Sequence, residues 1–148
     1  MKTLLKLLTV LCFVFAFSLA KGQSCRAFTK KNALFYLKPY ISNGQMYAAK
    51  YFPGDTAEIE FVFNEGYKYR IVASTHDILG KPIIRILDKN KKVVFEKEAD
   101  DDSQVIIWDF IAKKTHPLII QLIIPNVESP DQIMASGCVA VLVGFLQQ

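Results

Sequence analysis

From Tyr40 onward the chain is a succession of short apolar runs, each closed by a turn signal, and this spacing constrains the fold more than any other feature. Gln45 to Phe52 ends at Pro53-Gly54-Asp55. Glu58 to Phe63 alternates polar and apolar residues and ends at Asn64-Glu65-Gly66. Tyr67 to Ser74 reads Tyr-x-Tyr-x-Ile-x-Ala, with Lys68, Arg70 and Val72 on the other side of a half-buried strand. Ile83–Leu87 and Val93–Glu98 flank Asp88-Lys89-Asn90-Lys91-Lys92, the strongest hairpin signal, in which Asn90 tolerates a left-handed conformation and the lysines keep the loop wet. Gln104–Ile111, Leu118–Ile124 and Val139–Phe145 complete the series. Seven to eight such strands predict an all-β fold, an antiparallel β-sandwich or jelly roll. No loop after Tyr40 is long enough to hold a crossover helix. Val105-Ile106-Ile107-Trp108 and Leu118-Ile119-Ile120 are apolar on both faces, which predicts central strands or strands lying under a helix.

One helix is expected, over Arg26–Tyr40. Ala27, Phe28, Leu34, Phe35 and Leu37 can share one broad face, and Pro39 should end it. Gly and Pro fall between the apolar runs rather than in one linker, so residues 23–148 read as a single domain.

Residues 1–22 have the layout of a cleaved secretory signal peptide: a basic start with Lys2 and Lys6, an apolar run ending at Leu19, and small residues at Ala20 and Gly22. The run from Leu7 to Leu19 is too short for a span of about 20 apolar residues. Export places Cys25 and Cys138 in an oxidising compartment, where an even pair predicts a disulfide from the N-terminal segment to the last strand. Closing so long a loop stabilises by about 4–5 kcal/mol through chain entropy. A lipid on Cys25 is the alternative, although Gly22-Gln23-Ser24 is a poor lipoprotein box. Lys2, Lys6 and Lys21 leave with the signal, so the balance falls from 18 basic and 14 acidic residues to 15 and 14. That near-neutral charge gives no expectation of nucleic-acid binding. No later segment is long and apolar enough to span a membrane.

From Gly66-Tyr67-Lys68-Tyr69-Arg70-Ile71, through Ile84-Arg85-Ile86-Leu87-Asp88 and Val93-Val94-Phe95, to Trp108-Asp109-Phe110 and Leu118-Ile119-Ile120-Gln121-Leu122, the chain resembles bacterial pre-peptidase C-terminal domains. The resemblance covers roughly residues 56–146 and implies a secreted jelly-roll sandwich without catalytic residues, acting in binding or in support of secretion. The absence of a preceding peptidase domain, the helical segment with Cys25, and Gly137-Cys138-Val139-Ala140-Val141 all depart from that pattern.

Catalytic and metal chemistry find little support. His76 and His116 lie far apart and lack ligand-type partners at short spacing. Ser74, Ser103 and Ser136 have no Gly-x-Ser-x-Gly context. No catalytic residue and no cofactor is expected. Asp100-Asp101-Asp102 is the densest acidic run and a weak candidate for calcium, but it lacks the spacing of a calcium loop. Trp108 reads as core. Tyr40, Tyr47 and Tyr51, around Asn43-Gly44, are candidates for an exposed sugar-stacking platform. The expectation is therefore a secreted, non-catalytic binding or envelope-accessory protein of the periplasm or cell exterior. It would act through protein–protein contacts, with edge strands open to backbone pairing. A carbohydrate-binding module using the three tyrosines is the alternative.

Overall fold

The computed structural model describes residues 24–100, 103–126 and 136–147. Helix α1 (Ser24–Asn32) and a 3-10 turn (Leu34–Leu37) precede β1 (Ile41–Tyr51), β2 (Thr56–Phe63) and β3 (Tyr67–Thr75). A second 3-10 turn (Asp77–Leu79) leads to β4 (Ile83–Leu87), β5 (Val93–Glu98), β6 (Val105–Ile111), β7 (His116–Ile123) and β8 (Gly137–Gln147). Two four-stranded antiparallel sheets form, with orders β1-β8-β3-β6 and β2-β7-β4-β5. Every connection between consecutive strands passes from one sheet to the other except the β4–β5 hairpin, and this is the strand order of a jelly roll.

Alternation along the strands fills the space between the sheets. Phe63, Ile71, Ile84, Ile86, Ile106, Ile120 and Leu122 are fully buried there, and each contributes about 1.5–3 kcal/mol by leaving water. Tyr69 joins them, and its hydroxyl accepts the Asn64 amide at 3.0 Å, which fixes the β2–β3 turn. Lys68, Arg70 and Val72 face outward from the same strand, in keeping with the sequence pattern.

A second, smaller core lies on the outer face of the first sheet. Ala33, Leu37 and Tyr40 pack there on Val72, Ala140 and Leu142, flanked by Phe28, Met46, Val105 and Ile107. This layer explains why β8 is apolar on both faces. Cys25 and Cys138 are joined as a disulfide with Cα atoms 5.2 Å apart, which ties α1 to the start of β8. Gly144 lets the segment come close. A Cβ there would lie 2.8 Å from Leu37 Cδ1 and 2.9 Å from Tyr40 Cβ.

Two expectations from the sequence, the helix end and its shared apolar face, need correction. The α-helix ends at Asn32, not near Tyr40, because the chain tightens into the 3-10 turn once Ala33 N–H has bonded the Thr29 carbonyl. Leu34 and Phe35 consequently point to solvent rather than sharing a buried face with Phe28 and Leu37. Of the two placements expected for the Val105–Trp108 run, the second holds: it forms edge strand β6, where Val105 and Ile107 are covered by the N-terminal layer and the inward residues by the second sheet. In the β4–β5 turn the positive φ (61°) falls on Lys91. Asp88 Oδ1 accepts the amides of both Asn90 and Lys92, and this sets where the chain reverses.

Candidate functional site

Strands β5 and β6 are the edges of the two sheets on one side of the sandwich, and aromatic side chains fill the gap between them. Phe95 of β5 stacks on Trp108 of β6 (ring centres 4.4 Å apart, 14° between planes), and Trp108 stacks on Phe110 (4.3 Å, 16°). Phe110 in turn meets Tyr69 and Phe63 of the core at 5.7 and 5.0 Å. Alternation on β6 places residues 108 and 110 inward, and the last strand of an open sandwich has no further neighbour to cover them. The edge is therefore closed by rings instead of by backbone.

A groove of about 400 Å³ runs along this edge, floored and walled by Val94, Trp108, Phe110, Ile111, Ala112 and Leu118. Its size is in the range of small-ligand and side-chain pockets. Val94 and Ile111 are 52% and 49% exposed, so the groove carries an apolar lip. Asp88, Lys113, Lys114 and His116 line the other end. The Asp88 carboxylate is engaged by the turn amides. His116 Nδ1–H donates to the Lys114 carbonyl at 2.8 Å, which holds the ring in one tautomer and leaves Nε2 as the acceptor. The lining residues include no serine, threonine or cysteine nucleophile. The arrangement offers apolar contact, ring edges and a cationic end, which is the chemistry of binding.

The residues singled out in the sequence lie elsewhere. Tyr40 is buried in the outer layer, 7% exposed, with the Arg70 guanidinium 4.5 Å from its ring centre. Tyr47 and Tyr51 sit on the opposite, inward face of the same sheet, half-buried against the main core and joined through their hydroxyls. The three do not form one planar row, because Tyr40 packs outward under the N-terminal segment while residues 47 and 51 alternate inward along β1. Burial, followed by the Tyr47 hydroxyl, pushes the Tyr51 phenol up to about 12. Asp100 is exposed, with its carboxylate 3.8 Å from Lys97 Nζ. Asp101 and Asp102 lie outside the described residues. Among the described residues no three His, Cys, Asp or Glu side chains gather as a metal site. His76 is exposed, with its ring 5.7 Å from Phe28 and its amide donating to the Cys138 carbonyl.

The groove was missed because its rings come from two strands in different sheets. The one available hint was Trp108-x-Phe110 alternating on a run too apolar for a wetted edge.

No family model and no curated protein matches the chain. The pre-peptidase resemblance over residues 56–146 therefore rests on sequence pattern. Solved structures that are similar include PliG from Aeromonas hydrophila, a periplasmic lysozyme inhibitor of g-type lysozyme, at 10% identity and a TM-score of 0.46, covering 74% of this chain and 90% of that one. Another is the capsular polysaccharide assembling protein CapF from Staphylococcus aureus, at 16% identity and a TM-score of 0.36, covering 72% of this chain but only 24% of that one.

Proposed function

We propose that this chain is an exported, non-catalytic binding module that holds a protein partner at the β5/β6 edge. The observation that carries the reading is the apolar groove with its exposed Val94 and Ile111 lip and its Lys113, Lys114 and His116 end. A partner segment could seat an apolar side chain against the rings while pairing its backbone with an open edge strand. The stacked rings support this over sugar stacking. Both faces of Trp108 are already covered, by Phe95 and Phe110, so its ring presents an edge and not a platform. Envelope or extracellular location is part of the proposal, resting on the signal-like residues 1–22 and on the disulfide.

The test immobilises residues 23–148, with the disulfide formed, and captures partners from the envelope and secreted fractions of the source cell. Wild-type protein should retain a partner that Val94→Asp and Ile111→Asp each lose, since a charge placed in the lip must be desolvated on binding. Trp108 is the only tryptophan, so the purified partner should also shift its emission. A partner retained equally by both variants would overturn the assignment of the groove.

A further inference from the structure

Before Asp55 the chain holds no acidic residue, and residues 23–54 carry Arg26, Lys30, Lys31, Lys38 and Lys50. Residues 55–148 hold the opposite excess, fourteen acidic against ten basic. The fold turns this asymmetry of sequence into an asymmetry of surface. Helix α1 lies on the first sheet through Phe28, Thr29 and Ala33, so Arg26, Lys30 and Lys31 are on its exposed side. The 3-10 turn that follows projects Leu34, Phe35 and Tyr36, which are 39%, 70% and 41% exposed. Phe35 meets only the Tyr36 edge at 5.9 Å and Lys38 Nζ at 6.0 Å among the ring contacts described. On the outer face of this sheet the single described carboxylate is Asp109, and it is taken by Arg70 through two 2.7 Å hydrogen bonds. An exposed apolar tip thus has Lys38 beside it and follows a helix whose exposed side carries Arg26, Lys30 and Lys31.

We propose that this face docks on an anionic phospholipid surface, with Phe35 and Leu34 entering the headgroup boundary and Arg26, Lys30, Lys31 and Lys38 lying over the phosphates. Exposed aromatic and aliphatic side chains flanked by lysines are the pattern that binds an interface in its plane. Lysines are hydrated point charges on flexible stems and suit a fluid plane of headgroups, whereas a folded acidic protein is matched better by planar guanidinium forks. Here Arg70, the arginine best placed to fork, is already used inside the molecule. The acidic outer face of the other sheet, with Glu58, Glu60, Glu96 and Glu98, would point away from the lipid and orient the approach.

The experiment mixes residues 23–148, disulfide intact, with vesicles of equal parts phosphatidylcholine and phosphatidylglycerol, and with vesicles of phosphatidylcholine alone. Protein should sediment with the mixed vesicles and not the neutral ones. Each surface cation is worth about fivefold in partitioning, so Lys30→Gln with Lys31→Gln should weaken it roughly 30-fold. Phe35→Ser with Leu34→Ser should cost about tenfold or more by removing buried apolar area. Phe35→Trp should add a blue-shifted emission component on mixed vesicles. All four positions are exposed, and Trp108 emission confirms that each variant is folded. Val94→Asp should bind the vesicles as wild type does, which separates this face from the groove. The proposal is overturned by absence of binding to mixed vesicles at low salt, by equal binding to both compositions, or by partitioning that the Phe35 and Leu34 changes leave untouched. Capture of an acidic protein with no emission shift of Phe35→Trp on vesicles would also overturn it, in favour of a protein partner for this face.

Discussion

Arg70 locks the N-terminal segment to the sheet with a single side chain. Its Nε and Nη2 donate to the two Asp109 oxygens, and its Nη1 donates to the carbonyls of Tyr36 and Lys38 at 3.1 and 2.8 Å. Those carbonyls belong to the turn that presents Phe35, so Arg70→Ala should loosen the turn and cost about 1–2 kcal/mol, allowing for partial exposure of the pair. Urea unfolding with and without the substitution measures it. The Arg70 hydrogen bonds hold the Asp109 carboxyl below its ordinary range, against the opposing effect of burial. A depressed native value means that the stabilisation is complete above the unfolded carboxylate value near 3.9 and fades as the pH falls through the native one. Melting curves recorded below about pH 4 should therefore fall less steeply in Asp109→Asn than in wild type. Tyr51 behaves in the opposite sense. Its phenol, pushed up to about 12, contributes stability that is complete below the unfolded value near 10 and is lost as the pH rises from there to about 12. Ultraviolet titration should show a late-ionising component that Tyr51→Phe removes. Tyr47→Phe should bring it part of the way back toward 10, because burial, the larger cause, remains.

The N-terminal layer is the element whose attachment can be tested most directly. A nine-residue helix is not stable alone in water, so α1 exists because it is packed and stapled. Its staple closes a separation of 113 residues, and replacing Cys25 and Cys138 together by Ala should lower stability by about 4–5 kcal/mol where unfolded-chain entropy dominates. Gly144 tests the packing without touching the staple. A Cβ 2.8 Å from Leu37 and 2.9 Å from the Tyr40 Cβ cannot be accommodated by moving a side-chain tip alone, since Tyr40 Cβ moves with its backbone. Gly144→Ala should therefore lift the 3-10 turn, at about 1–3 kcal/mol, read by denaturant midpoint and by faster amide exchange across Leu34–Leu37. Most strands were legible in the sequence because each is about as long as its apolar run and ends at a turn residue with its own chemistry, as at Asn64-Glu65-Gly66 and Asp88–Lys92, whereas β1 and β8, of 11 residues each, extend beyond the runs Gln45–Phe52 and Val139–Phe145. The N-terminal layer was only half legible. Helical spacing located it, but spacing cannot tell that the coil tightens after Ala33 and exposes Leu34 and Phe35, since that follows from contacts with Val72 and Leu142 far along the chain. The groove was not legible for the same reason: Phe95 and Trp108 meet only once two sheets have closed on each other.

At the scale of the whole molecule, net charge conceals how charge is arranged. Residues 23–148 hold 15 basic and 14 acidic residues, a balance that gave no expectation of nucleic-acid binding when read as a sum. The sandwich instead separates the signs by face. Arg26, Lys30, Lys31 and Lys38 cover the N-terminal layer, while Glu58, Glu60, Glu96 and Glu98 lie on the far sheet, where Arg85 and Lys91 pair with Glu96 and Glu58. Packed sheets are about 10 Å apart, and side chains and the helical layer add to that distance. The two faces are therefore separated by more than the screening length of about 10 Å at 0.1 M salt. A charged surface at that ionic strength meets one face and does not feel the other. The protein should consequently be retained on a sulfonate cation exchanger at neutral pH, later than its charge sum alone implies. Two substitution pairs of equal size distinguish face from sum. Lys30→Gln with Lys31→Gln removes two positive charges from the basic face and should advance elution markedly. Glu60→Gln with Glu98→Gln removes two negative charges from the other face and should delay it far less, although it moves the net charge by the same amount. Shifts of equal size would mean that the exchanger reads the sum, and the separation of faces would then have no consequence in solution.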